Sequence, residues 1–132
     1  MNTPVATDRI DMEVRVRYNE CDPMGVAHHT AYPTWLEMAR TELLRKRGTA
    51  YRDLEAEGVF FVIVRLNLNY HRPARYDDVL IVRAESAPAG RVRIAHQYSV
   101  TRAHELLAEA QTTMVCVDRD GRPQRIPDRI AG

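Results

Sequence analysis

The sequence has little cysteine, little lysine and few large aromatics. Its 132 residues include two cysteines, one tryptophan and two phenylalanines, and Lys46 is the only lysine among 19 basic residues. Cys21 and Cys116 lie far apart and form no CxxC pair, so no structural metal site is expected. They read as two reduced thiols. No apolar run approaches the roughly 18 residues that a membrane span needs. The start of the chain does not read as a secretory signal, and a cytoplasmic protein is expected. No repeat or low-complexity segment stands out. A net charge of +1 speaks against a nucleic-acid coat.

What is present fits one ordinary globular domain spanning residues 1–132. The 45% hydrophobic content suffices for a core without metal or disulfide staples. Residues Met1 to Arg9 read as a mobile end. From Ile10 to Tyr18, apolar and charged residues alternate, with Ile10, Met12, Val14 and Val16 on one face of a half-buried strand. A second strand is expected in VFFVIVRLNLNYH (residues 59–71), where Val64, Leu66, Leu68 and Tyr70 face one way and Arg65, Asn67, Asn69 and His71 the other. Val79 to Ala87, Arg91 to Arg102 and Leu106 to Asp118 follow as three strands with tight connections, hence an antiparallel meander. The tail RPQRIPDRI, with its two prolines, is expected to be extended.

The stretch from Tyr18 to Arg47 departs from this strand pattern. It begins as a polar loop with Asp22, Gly25, His28 and His29. It then becomes a helix with Trp35, Leu36, Ala39, Leu43 and Leu44 at helical spacing. The helix is expected to start between Thr30 and Pro33, with Thr30 a candidate N-cap, Pro33 tolerated only in a first turn, and Gly48 the stop signal. A shorter helix is expected over Thr49 to Glu57. One long helix inserted into a roughly five-stranded antiparallel sheet is an α+β layout. A loop that delivers a carboxylate and a histidine to a helix N-terminus has the parts of a reaction centre, because the helix start offers unpaired N–H donors and a partial positive charge.

The run Tyr18, Asp22, Gly25, His29, Tyr32, Trp35 and Glu37-Met38-Ala39-Arg40 resembles the 4-hydroxybenzoyl-CoA thioesterase family of hotdog-fold proteins. Within it, the resemblance is to the small bacterial acyl-CoA thioesterases of the Tol–Pal cluster. NYHRPARYDDVL and the Arg-Ile-Pro of the tail extend the similarity over about Val14 to Pro127. The resemblance implies a hotdog fold, with an antiparallel sheet wrapped around the long helix. It also implies a homodimer or homotetramer with sites at the subunit interface, and neither metal nor organic cofactor. By the resemblance, Asp22 is the catalytic carboxylate, as nucleophile or as general base. His29 supplies the backbone N–H that polarises the thioester carbonyl, and Tyr18 and His29 contribute assisting side chains. Gly25 belongs to the substrate loop. Ala31 and Pro33 depart from the family pattern at the helix start.

The implied activity is hydrolysis of a small or medium acyl-CoA, aliphatic or aromatic, to free acid and CoA. An acyl-carrier-protein thioesterase and a non-catalytic acyl-CoA-binding domain are the alternatives. Because coenzyme A carries phosphates, Arg91 and Arg93 are candidate binders, with Arg72 and Arg75 behind them. Trp35, Phe60 and Phe61 are candidates for lining the acyl pocket. Glu37 is a competing carboxylate, about 10 Å into the helix at 1.5 Å per residue, where an ion pair to Arg40 or a contact to Thr41 is the plainer role. Adjacent histidines in a loop do not readily converge on one tetrahedral centre, so Cys21, Asp22, His28 and His29 are not expected to hold a metal.

Overall fold

A computed structural model describes residues Asp8–Ile130. The chain runs β1 (Asp8–Arg15), a 3₁₀ turn (Tyr18–Glu20), α1 (Ala31–Lys46), α2 (Tyr51–Ala56), β2 (Phe60–Tyr70), β3 (Val79–Pro88), β4 (Arg93–Arg102) and β5 (Glu105–Val117). The strands form one antiparallel sheet in the order β1-β3-β4-β5-β2. The expected meander is β3-β4-β5, and β1 and β2 are the two edges.

Of the mobile end expected over Met1 to Arg9, the first seven residues lie outside the described ones. Asp8 and Arg9 already belong to β1: Asp8 pairs with Ser86, and its carboxylate meets the Arg47 guanidinium. β1 stops at Arg15 rather than reaching Tyr18. Val16 still exchanges backbone bonds with Asp77 and Asp78, but Glu20 N–H then bonds to Arg17 C=O at 3.0 Å and curls the chain into the 3₁₀ turn. In β2 the ladder slips between Ile63 and Arg65. The inward series is therefore Phe61, Ile63, Leu66 and Leu68, opposite Cys116, Met114, Thr112 and Ala110, and Val64 sits at the bulge.

The sheet curves round α1. Trp35, Leu36, Ala39 and Leu43 are buried against Val14, Val16, Leu80, Val82, Ala84, Tyr98 and Val100 in the main core. Each fully buried leucine or valine there contributes about 1.5–3 kcal/mol. The helix leans on β1 and β3. Towards β2 it leaves a groove of about 250 Å³ lined by Leu36, Glu37, Arg40, Ile63, Leu66 and Thr112. A smaller core holds Leu44, Leu54, Val59 and Cys116, closed over by Ile126 and Ile130 of the tail. The expected stop signal is in place: α1 ends at Lys46, and Gly48 lies in the left-handed region at φ 91°.

The two edges differ. β1 carries five charged residues among its eight, whereas Val62, Ile63, Val64 and Leu66 of β2 are apolar and exposed.

Candidate active site

The site loop is a small hairpin. Cys21 and Ala27 pair antiparallel, Asp22 N–H bonds to Val26 C=O at 2.9 Å, and Gly25 N–H bonds to Asp22 C=O at 2.9 Å. Gly25 turns the chain at φ 79°, a conformation that costs any residue with a Cβ about 1–2 kcal/mol. The hairpin is fastened to the β2–β3 connection by Ala27 N–H to Ala74 C=O (2.7 Å), by Tyr76 N–H to Gly25 C=O (3.3 Å) and by a Val26–Arg75 bridge.

Asp22 uses one carboxylate oxygen to hold this loop. Oδ1 accepts from the backbone N–H of Met24 at 2.8 Å and of Val26 at 3.4 Å, whereas no donor among the described residues meets Oδ2. Asp22 thus fulfils the turn role that an aspartate before proline commonly plays, and its second oxygen has no donor among the described residues.

After His28, His29 and Thr30 the chain enters α1 at Ala31. Thr30 occupies the N-cap position, but its hydroxyl pairs with His28 Nδ1 at 2.8 Å and makes no cap bond, because its backbone is already helical. His28 is tied down further by its N–H to Glu20 C=O (2.7 Å) and by its C=O from Ala31 N–H (2.9 Å). Among the described residues no acceptor meets the His29 backbone N–H. The His29 carbonyl accepts from the Tyr70 hydroxyl at 2.8 Å. His29, Tyr32, Tyr70, His71 and Arg72 line an open cleft of about 280 Å³ beside the helix start. In that cleft His71 Nε2 lies 2.7 Å from Glu109 Oε2.

Behind the loop stands a carboxylate that the sequence did not mark. Glu20 accepts from the Trp35 indole N–H at 3.0 Å, from Arg17 N–H at 2.8 Å and from the Arg17 guanidinium at 3.2 Å. Burial pushes its carboxyl upward, but the hydrogen bonds from Arg17 and Trp35 outweigh this and hold it below the usual value. Trp35 packs tilted against Tyr32 (4.8 Å), and Tyr32 meets Tyr70 edge-on (4.9 Å). Glu20 and Tyr70 gave no one-dimensional signal. Each is defined by a partner 15 and 41 residues away, respectively.

The other candidates scatter. Tyr18 opens the 3₁₀ turn instead of ending a strand, is 80% exposed and lies edge-on to Tyr76 at 5.6 Å. Glu37 lies 3.6 Å from Arg40 and accepts the Thr41 hydroxyl on its carbonyl. Trp35 is fully buried in the core, while Phe60 and Phe61 are half-buried at the start of β2. Arg91 and Arg93 lie at the start of β4. The other end of that strand, Arg102, touches Pro73 and Asp78 beside the site. Ten residues at about 3.3 Å each separate those ends by about 30 Å, so within one chain neither arginine reaches Asp22. Among the described residues, no three His, Cys, Asp or Glu side chains cluster in a way that could hold a metal. Cys21 and Cys116 are free thiols.

Comparison with known proteins places this geometry in context. The family model of the thioesterase-like superfamily matches residues 16–132. The acyl-CoA thioester hydrolase YbgC of Escherichia coli is 37% identical over 119 residues, covering 89% of each chain. Among solved structures, a hypothetical protein, TT1821 from Thermus thermophilus, superposes with a TM-score of 0.86 at 39% identity, covering 93% of this chain and 92% of that one. A mutant 4-hydroxybenzoyl CoA thioesterase complexed with 4-hydroxybenzoyl CoA superposes with a TM-score of 0.84 at 26% identity, covering 92% and 95%. The chain is a hotdog-fold member of the thioesterase-like superfamily.

Proposed function

We propose that this protein hydrolyses a small or medium acyl-CoA, aliphatic or aromatic, to free acid and CoA, with Asp22 as the reacting carboxylate. The observation that carries the reading is the division of labour within Asp22: one oxygen is fixed by two backbone N–H groups, and the other has no described donor. It stands in the hairpin that leads into the unmet N–H of His29.

The chemistry follows from those parts. A thioester carbonyl is poorly conjugated with sulfur, so a carboxylate suffices to attack it or to activate water. As nucleophile, Asp22 Oδ2 adds to the carbonyl, thiolate leaves, and water then cleaves the mixed anhydride. As general base, it takes a proton from the water that adds. In both routes negative charge grows on the carbonyl oxygen, where a fixed N–H at a helix start is most effective. His29 provides that N–H, Gly25 shapes the loop, and Tyr18 is the assisting side chain. Neither route draws on a metal or organic cofactor.

A homo-oligomer completes the reading. The apolar, unpaired edge of β2 fits a second copy better than water. Two β2 edges running antiparallel would carry the far end of the partner's sheet, with its copies of Arg91 and Arg93, to the end that holds Asp22. Two arginines there suit the phosphates of CoA. No described helix is long and apolar enough to cross a membrane. With both cysteines as free thiols, the cytoplasm is the fitting location.

The test is free-thiol release from a panel of aliphatic and aromatic acyl-CoAs. Asp22→Asn is expected to lower turnover by a factor of about 10² to 10⁴. Near-normal turnover in that variant would remove Asp22 from the mechanism.

A further inference from the structure

The carbonyl of His29 sits where the first turn of a helix would ordinarily receive an N–H from four residues ahead. Here that residue is Pro33, which has none. A carbonyl in that position needs another donor or water. The Tyr70 hydroxyl reaches it from β2, 2.8 Å away and 41 residues on. Its ring is held edge-on against Tyr32, itself buried and packed on Trp35.

We propose that Tyr70 is a positioning residue for the reaction, its hydroxyl replacing the missing Pro33 amide and so fixing the His29 backbone that presents the N–H to the substrate carbonyl. The inference rests on the role given above to the His29 N–H.

On its amino side, the peptide that carries the His29 N–H is fixed by Ala31 N–H bonding to the His28 carbonyl. On its carboxyl side the His29–Thr30 peptide is held by two bonds to side chains: Thr30 N–H reaches His28 Nδ1 at a long 3.3 Å, and the shorter bond, the one anchored outside the loop, comes from the Tyr70 hydroxyl at 2.8 Å. Without it, His29 keeps its place in the chain but gains a rotation about its own backbone, and the donor swings away from a developing oxyanion. Losing an oxyanion donor outright costs about 10²–10³ in rate. Loosening one costs less, and the deficit falls on kcat, because the carbonyl oxygen gains most of its charge only in the transition state.

The experiment compares wild type, Tyr70→Phe, Pro33→Ala and the double variant on the best acyl-CoA of the panel, with kcat, KM and solution mass measured for each. Tyr70→Phe is expected to lower kcat about tenfold with KM within about twofold, at unchanged mass. Pro33→Ala restores an amide at position 33, and in the double variant most of the lost kcat is expected to return. A purely structural role for Tyr70 gives no such rescue. The proposal is overturned by a Tyr70→Phe kcat within twofold of wild type. It is also overturned by a loss that Pro33→Ala does not repair, or by one that follows dissociation and disappears at high protein concentration. Asp22→Asn, run alongside, separates the two readings. Full turnover in that variant overturns the role of Asp22, while Tyr70 is still decided by its own kcat and rescue.

Discussion

Removing the Glu20 side chain tests whether this carboxylate joins the loop to the helix. The Trp35 indole N–H is buried with a fully buried ring and donates to Glu20 alone among the described residues. In Glu20→Ala that donor loses its acceptor, a loss of about 1–3 kcal/mol for a buried group. The Arg17 backbone N–H is at the surface and can turn to water. The Arg17 guanidinium is two-thirds exposed, so its ion pair adds no more than about 0.5 kcal/mol. The sum is about 2 kcal/mol, which for a domain of this size lowers Tm by about 6 °C. Because hydrogen bonding holds the folded carboxyl below its ordinary 4.5, its contribution is complete above that pH and is lost as pH falls through the lower folded value. Thermal unfolding at pH 7 should therefore show the full gap between wild type and Glu20→Ala, and unfolding at pH 3 a narrower one. A shift below about 1 °C at pH 7, or a gap that does not change with pH, would show that Glu20 does not join loop to helix in this way.

His96 is 4% exposed, its Nδ1 has no partner among the described residues, and burial together with the Arg40 and Arg47 guanidinium groups lowers its pKa to about 4. The native state refuses a proton that the unfolded chain accepts below about 6.5. Stability is thus full above pH 6.5 and falls by about 3 kcal/mol on the way to pH 4. Urea unfolding of His96→Leu should lose that part of the acid sensitivity, and an unchanged slope against pH would contradict the account. Leu66→Glu, which places a charge on the apolar edge of β2, should halve the solution mass measured by light scattering. An unchanged mass would move the subunit contact elsewhere.

The sequence was a good guide wherever a property is local. Alternation in Ile10 to Val16, helical spacing from Trp35 to Leu44 and tight connections between the last three strands each report which face a residue presents, and burial follows that pattern. The loop motif likewise located Asp22, Gly25 and His29 at the junction of hairpin and helix. What stayed hidden depends on the register between distant segments. Periodicity cannot show that Val64 is the residue the β2–β5 ladder skips, that Glu20 waits under Trp35, or that Tyr70 reaches His29. Arg91 and Arg93 illustrate the same limit from the other side. Their residue type suits a phosphate, but a strand about 30 Å long separates them from the loop of their own chain.

Among the described residues, the unlike edges of the sheet also bear on how many neighbours a subunit can take by strand pairing. β1, with its run of charges, resists a further strand, and β2 invites one. A sheet with two inviting edges has a valence of two and grows into a ribbon without end. With one, the pairing proposed above uses up the only adhesive strand edge among the described residues of each copy, and the two-fold axis closes that pairing at two. Any larger complex must then be built through the faces of the sheets, on contacts that evolution can tune without touching the strand that carries Tyr70.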